Sequence, residues 1–92
     1  MRPVLWSELA LAELDNQVAY ISKHNPQVAI KIPERLFKLA EMLSEFPKLG
    51  SEYNPPNIRQ LHVNGLPFVI VYRIKPSAIQ ILHLYHTRQE RL

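Results

Sequence analysis

The stretch Ile58-Arg59-Gln60-Leu61-His62-Val63-Asn64-Gly65-Leu66-Pro67-Phe68-Val69-Ile70-Val71-Tyr72-Arg73-Ile74 decides how this chain is read. From Ile58 the apolar residues recur with the period of two that belongs to a strand, until Asn64-Gly65 interrupts them. Asn-Gly readily takes the positive φ values of a two-residue turn between twisted strands, so a hairpin of residues 58–63 and 66–74 is predicted. In that register Val63 opposes Leu66. Arg59 shares a face with Phe68, Ile70 and Tyr72, while Gln60 and His62 share the other with Val69, Val71 and Arg73. Lys75-Pro76-Ser77 turns the chain again, and residues 78–86 make a further strand. A turn of two or three residues would put His83 on opposite faces, and the sequence leaves both open. Residues 68–74 and 79–84 are apolar at successive positions, which predicts strands covered on both faces.

Upstream the period is that of a helix. Ser7 is placed to cap free amides and Glu8 to sit at the positive end of the dipole, ahead of Leu11, Leu14, Val18 and Ile21 at three- and four-residue intervals. His24-Asn25-Pro26 ends this helix and starts another, with Asn25 as cap and Pro26 at the first position. Its stripe is Val28/Ala29, Ile32, Leu36, Leu39, Leu43 and Phe46, closed by Pro47 and Gly50. Pro33 removes the bond to the Ala29 carbonyl at a cost of roughly 3 kcal/mol in a helix interior, so a kink or restart is expected there. Two helices joined by about two residues run antiparallel. Val4 and Trp6 follow Pro3 at period two, as in a short strand at a sheet edge. The fold class read from these signals is α+β, in one domain spanning residues 1–92. It comprises an N-terminal edge strand and an antiparallel helical hairpin packed on a C-terminal three-stranded antiparallel sheet.

Composition bounds the function. The 92 residues are 47% hydrophobic and 21% charged, contain no cysteine, and hold no apolar run longer than five residues. Disulfide scaffolds, thiolate metal sites, cysteine nucleophiles and membrane spans are thereby excluded, and a cytoplasmic protein is expected. The net charge of +3 is unevenly placed. Residues 1–50 balance six Lys/Arg against six acids, whereas residues 51–92 carry five (Arg59, Arg73, Lys75, Arg88, Arg91) against two (Glu52, Glu90), with three of the four histidines. That half calls for an anionic partner, nucleic acid or acidic protein. The sheet face not covered by the helices is expected to be an apolar surface in need of a partner.

The chemistry-bearing residues are few. His86 beside Arg88 pairs an imidazole, able to give or take a proton, with a guanidinium, and Arg59 can approach His86 through neighbouring strands to make a phosphate or carboxylate site. Tyr72 and Tyr85 also fit a core or interface, Arg73 a surface strand position, and His83 between two leucines a structural histidine. No Gly-rich phosphate loop, metal-ligand spacing or nucleophile elbow occurs, so neither a metal nor another cofactor is expected.

Taken in order, several segments resemble the ParE/RelE superfamily of toxins from type II toxin–antitoxin modules, in particular its ParE-like branch. They are Val4-x-Trp6-Ser7, Tyr20-Ile21 with Asn25-Pro26-x-x-Ala29, Leu43 to Pro47 with Gly50, Arg59-x-Leu61-x-Val63, Val69 to Ile74, and Ile81-Leu82-x-x-x-His86-x-x-Gln89. The resemblance implies a growth-inhibiting toxin held inactive by an acidic or amphipathic antitoxin in a hetero-oligomer. Partner contacts would fall among Arg59, Tyr72, Arg73, His86 and Arg88. ParE-like members are inhibitors of DNA gyrase without nuclease chemistry, and that is the expected activity. RelE-like members cleave mRNA on the ribosome; for that alternative His86, Arg88 and Arg59 are the catalytic candidates, with Arg73 on phosphate and Glu52 as a distant base. Against it, residues 47–57 offer only Lys48 where RelE-like nucleases carry several lysines, and Tyr85-His86 reverses the His-then-Tyr order of another nuclease branch. A non-toxic, degenerate binding module is the third reading.

Overall fold

Ser7 stops one element and starts the next. Its amide donates to the Ile81 carbonyl while its Oγ accepts from the Ala10 amide at 2.9 Å, so the strand before it is tied to the sheet and the helix after it is capped. The computed structural model describes residues 1–54 and 57–89; Arg91 lies outside the described residues. Strand β1 (Val4–Trp6) leads into α1 (Glu8–Ser22), which is followed by α2 (Pro26–Glu45) and the strands β2 (Ser51–Asn54), β3 (Ile58–His62), β4 (Phe68–Ile74) and β5 (Ile79–His86), ending in a 3-10 turn at Thr87–Gln89. Asn25 Oδ1 accepts from the Val28 amide at 3.2 Å, which caps α2 as its position before Pro26 predicts.

The strands form one five-stranded mixed sheet in the order β1-β5-β4-β3-β2. The antiparallel set β3-β4-β5 is as expected, but the sheet is larger than the three strands read from the sequence. β1 pairs with β5 in parallel (Val4 with Ile79, Trp6 with Ile81), and β2 adds antiparallel to β3. A period-two pattern carries no strand direction, and Ser51-Glu52-Tyr53-Asn54 has no apolar alternation, so neither pairing was visible in the pattern. The hairpin register also differs. Val63 faces Phe68, to which its amide donates at 2.9 Å, rather than Leu66. Pro67 cannot donate to a ladder, so β4 begins at Phe68, two residues later than expected, and the connection lengthens. In this turn Gly65 takes a positive φ, 81°, and Asn64 does not. Because the shift is even, each side chain keeps its predicted face.

Both helices pack on one face of this sheet. Ala10 and Leu14 of α1 and Ile32, Leu36, Ala40 and Leu43 of α2 form a continuous core with Phe68, Ile70, Tyr72, Ile79, Ile81 and Leu84. At the rim Trp6 meets Phe37 edge to face at 5.0 Å. A bulge in β5 settles the register the sequence left open. Val71 opposes His83 but Tyr72 opposes Ile81, so Leu82 is the extra residue. Ile79, Ile81, Leu84 and His86 therefore face the helices, and His83 and Tyr85 face away.

The face without helices is not the apolar surface expected. Val69 and Val71 on it are 0% and 4% exposed, flanked in register by His62 and Tyr85 and by Gln60 and His83. Exposed apolar side chains lie instead on the helices and the turn after them, among them Leu9, Tyr20, Ile30, Met42, Phe46 and Leu49. Helix α2 runs without a restart through Pro33. The packed stripe on either side, Ala29, Ile32 and Leu36, is fully buried and offsets the missing bond.

Two variants follow from this packing. Pro33→Ala restores an amide donor to the Ala29 carbonyl and should raise the unfolding free energy by about 1 kcal/mol or more, read as a higher urea midpoint at unchanged slope. Leu36→Ala should lower it by about 2–5 kcal/mol, because a fully buried side chain leaves a cavity.

Candidate functional site

The residues picked out by sequence fall into three separate places. The first is a polar network on the helix side. Register sets Arg59 of β3 opposite Tyr72 of β4, beneath the turn that joins α2 to β2. The Tyr72 hydroxyl donates to the Pro47 carbonyl at 2.6 Å and accepts from the Gly50 amide at 2.9 Å. Arg59 Nη1 donates to the Gly50 carbonyl at 2.6 Å, and Nη2 lies 3.8 Å from Glu52. The Arg59 side chain is only 16% exposed. Gly50 is required here for space, since a Cβ would stand 2.6 Å from the Gln60 carbonyl oxygen. Burial holds the Tyr72 phenol above its usual pKa of 10, opposed in part by the Gly50 hydrogen bond and the Arg59 charge.

The second place is the far end of β5. His86 opposes Phe68, four residues along β4 from Tyr72, or about 13 Å at the rise of a strand. Arg59 and His86 are therefore not brought together, in contrast to the expectation that neighbouring strands would join them. The hairpin and the β5 bulge place them at opposite ends of β4. His86 Nδ1 accepts from the Arg88 amide at 3.1 Å, and its ring meets the edge of Phe68 at 5.9 Å. His86 and Arg88 line a concave surface of about 300 Å³ together with Asn16, Gln17 and Tyr20 of α1. None of those three was a candidate site residue in the sequence. They fall between the apolar positions of α1, where polar residues read as a solvated face.

Arg73 is the third place, exposed on the face that no helix covers, opposite Ile58 and Gln80. Sequence reading also passed over Glu13. Its Oε1 accepts from the Leu84 amide at 2.8 Å, where β5 runs beyond its partner β1, and its Oε2 is 3.6 Å from His83 Nδ1. The carboxylate thus closes a sheet edge that would otherwise expose a donor. A further depression, of about 420 Å³, is lined by Phe46, Pro47, Lys48 and Leu49. Among the described residues no group of three or more His, Asp or Glu is placed to hold a metal ion, and no helix is long and apolar enough to cross a membrane.

The network makes its own predictions. Tyr72→Phe leaves the Gly50 amide and the Pro47 carbonyl without their partner and should cost about 1–3 kcal/mol in a chemical denaturation series. The raised Tyr72 pKa means that the unfolded chain loses its phenolic proton first. Its contribution to stability is therefore complete below about pH 10 and falls as pH rises further; the Phe variant should lack this limb of the pH profile.

Comparison with known proteins agrees with this architecture. The family described as ParE toxin of type II toxin-antitoxin system, parDE, matches residues 4–91. The Y4kP protein of Sinorhizobium fredii is 31% identical over 87 residues, covering 95% of this chain and 90% of its own, and toxin RelE2 of Caulobacter vibrioides is 31% identical over 86, covering 94% and 96%. A chain from a structure of the chromosomal ParDE TA system of P. aeruginosa superposes with a TM-score of 0.83 at 25% identity, over 94% of this chain and 96% of that one. The YoeB dimer structure from Staphylococcus aureus, at 15% identity and a TM-score of 0.59 over 92% and 97%, shares the fold. The chain belongs to the ParE toxin family, within the ParE/RelE superfamily, and is the toxin of a type II toxin–antitoxin system.

Proposed function

We propose that this toxin arrests growth in the cytoplasm by binding DNA gyrase, and that a cognate antitoxin neutralises it in a hetero-oligomer. The observation that carries the choice is the separation of Arg59 from His86. Cleavage of a phosphodiester needs a proton-transfer group and cations converging on one phosphate. Here Arg59 is committed to the Gly50 carbonyl, Glu52 lies beside Arg59 with its side chain 72% exposed, and His86 sits about 13 Å along β4. Among these groups His86 has only Arg88 beside it, while Arg59 and Glu52 stand apart, and a toxin so arranged acts by binding rather than by cutting, which is the expectation for the ParE-like branch. The antitoxin half of the proposal draws on the family and on the basic second half of the chain. The exposed apolar side chains of Phe46 and Leu49 support it as well.

Purified protein should inhibit supercoiling by gyrase and leave ribosome-bound mRNA intact. Cleavage of that mRNA, reduced roughly 100-fold or more by His86→Ala, would reverse the assignment in favour of the ribosomal nuclease. Absence of any growth defect on expression without a partner would favour the degenerate module. Co-expression with the adjacent reading frame should yield a stable complex, and Arg73→Glu should weaken it or flatten its dependence on salt. The antitoxin assignment fails if no complex forms.

A further inference from the structure

The Asn64-Gly65 turn shapes the hairpin, yet its own chemistry has no part in the gyrase reading. The chain holds five asparagines, and Asn64 alone precedes a glycine. Asn25 and Asn54 precede prolines, which have no amide hydrogen to lose, Asn57 precedes the β-branched Ile58, and Asn16 lies inside α1, where the next amide is held in the helical ladder. Gly65 offers its nitrogen with no side chain in the way. Both residues of the pair are exposed, and the Asn64 side-chain amide enters no hydrogen bond among the described residues. What restrains the pair is geometry. The Leu66 amide donates to the Val63 carbonyl at 3.2 Å across the turn, and of its two central residues only Gly65 has a positive φ, 81°. That is the pattern of a type II turn, in which ψ of the first central residue is about +120°, swinging the next nitrogen away from the side chain. From α2, Arg35 Nη2 donates to the Asn64 carbonyl at 2.8 Å and holds that peptide plane in place.

We propose that Asn64 is a site of spontaneous deamidation and that Arg35 sets its rate by latching the turn. The Gly65 nitrogen, having given its proton to hydroxide, attacks Asn64 Cγ. The N–Cγ bond forms, the Cγ–Nδ2 bond breaks, and Nδ2 takes a proton and leaves as ammonia. Water then opens the five-membered imide at one carbonyl or the other, giving aspartate or isoaspartate. Ring closure requires Asn64 ψ to turn through a wide angle, which carries the Asn64 carbonyl off Arg35. A nearby cation also favours loss of the amide proton, so Arg35 acts in two senses. The charge-assisted bond is worth roughly tenfold or more in the latched population, whereas a charge exposed to solvent is worth about fivefold at most, so the latch decides the direction. The products alter the molecule differently. Aspartate places a carboxylate on the surface that Arg35 and Lys38 share. Isoaspartate adds a methylene to the main chain between β3 and β4, the pairing that sets Arg59 opposite Tyr72.

Incubation of the full chain in mildly alkaline buffer, followed by tryptic digestion and mass spectrometry, tests this, because the fragment of residues 60–73 holds Asn64 as its only asparagine. That fragment should gain the mass difference between an amide and an acid, part of it as isoaspartate accepted by an isoaspartyl methyltransferase. Its rate should rise with pH, as loss of the Gly65 amide proton requires, and the fragments carrying the other asparagines should convert more slowly. Arg35→Gln should convert roughly tenfold faster than the natural chain. Lys38→Gln removes the neighbouring exposed cation but leaves the latch, and should bring no acceleration. In urea below the unfolding transition the rates of the natural chain and of Arg35→Gln should stay nearly flat, since a turn that opens locally exposes little surface. The proposal is overturned if Arg35→Gln converts no faster, if Lys38→Gln accelerates conversion equally, or if another asparagine converts first. A urea slope equal to that of global unfolding would overturn it as well, and so would a lack of any conversion at Asn64.

Discussion

A hydroxyl buried in the middle of a sheet must find partners, and the phenol of Tyr72 finds them in the turn after α2. By accepting from the Gly50 amide and donating to the Pro47 carbonyl it fixes where the helical layer ends and where β2 begins. Arg59 completes the junction by holding the Gly50 carbonyl from the other side. Five polar groups that would be costly if unpaired therefore satisfy one another, and the requirement for glycine at position 50 follows from how closely the backbones approach. The same junction takes one cation out of reach of a substrate. An arginine whose sequence context marks it for a phosphate is already bonded to the fold.

The second organising feature is the additional residue in β5. Without the bulge at Leu82, alternation would carry the inward set Ile79 and Ile81 on to His83 and Tyr85, and would turn Leu84 and His86 outward. With it, Leu84 enters the core and His86 arrives beneath α1, next to Asn16, Gln17 and Tyr20. His83 is left on the uncovered face, within reach of the Glu13 carboxylate that closes the β5 edge. Among the described residues Arg59, Arg88 and Arg73 thus stand apart, at a junction, a concavity and an open strand.

Much of this fold was legible in the residues. Ser7 and Asn25 cap the helices they were expected to cap, because a capping side chain acts on amides only three residues away. The antiparallel core of β3, β4 and β5 follows from runs of β-branched residues punctuated by Asn64-Gly65 and Lys75-Pro76. Illegible parts shared a physical cause. β2 has no apolar alternation because it lies at the sheet edge, where its pairing depends on backbone groups rather than side chains. β1 gave no sign of running parallel to β5, since direction depends on how the helices return the chain. The bulge was written as the spacing Ile79, Ile81, Leu84, a step of two followed by one of three, but became interpretable only with β4 alongside.

Sequence by itself determined the order of the elements other than β2, the two caps, the face of each residue in the β3–β4 hairpin and the resemblance to a toxin superfamily. These depend on neighbours within a turn or two, or on a side-chain alternation that survives an even slip in register. Tertiary structure alone decided which chemistry-bearing residues meet. Arg59, His86 and Arg73 all lie in the sheet half, yet one is locked under a turn, one sits below α1 and one stands on the uncovered face. That partition follows from a loop lengthened at Pro67, a single inserted residue at Leu82 and a buried phenol in need of partners. Each is a long-range pairing constraint, and a pattern read along one strand holds no information about the strand beside it.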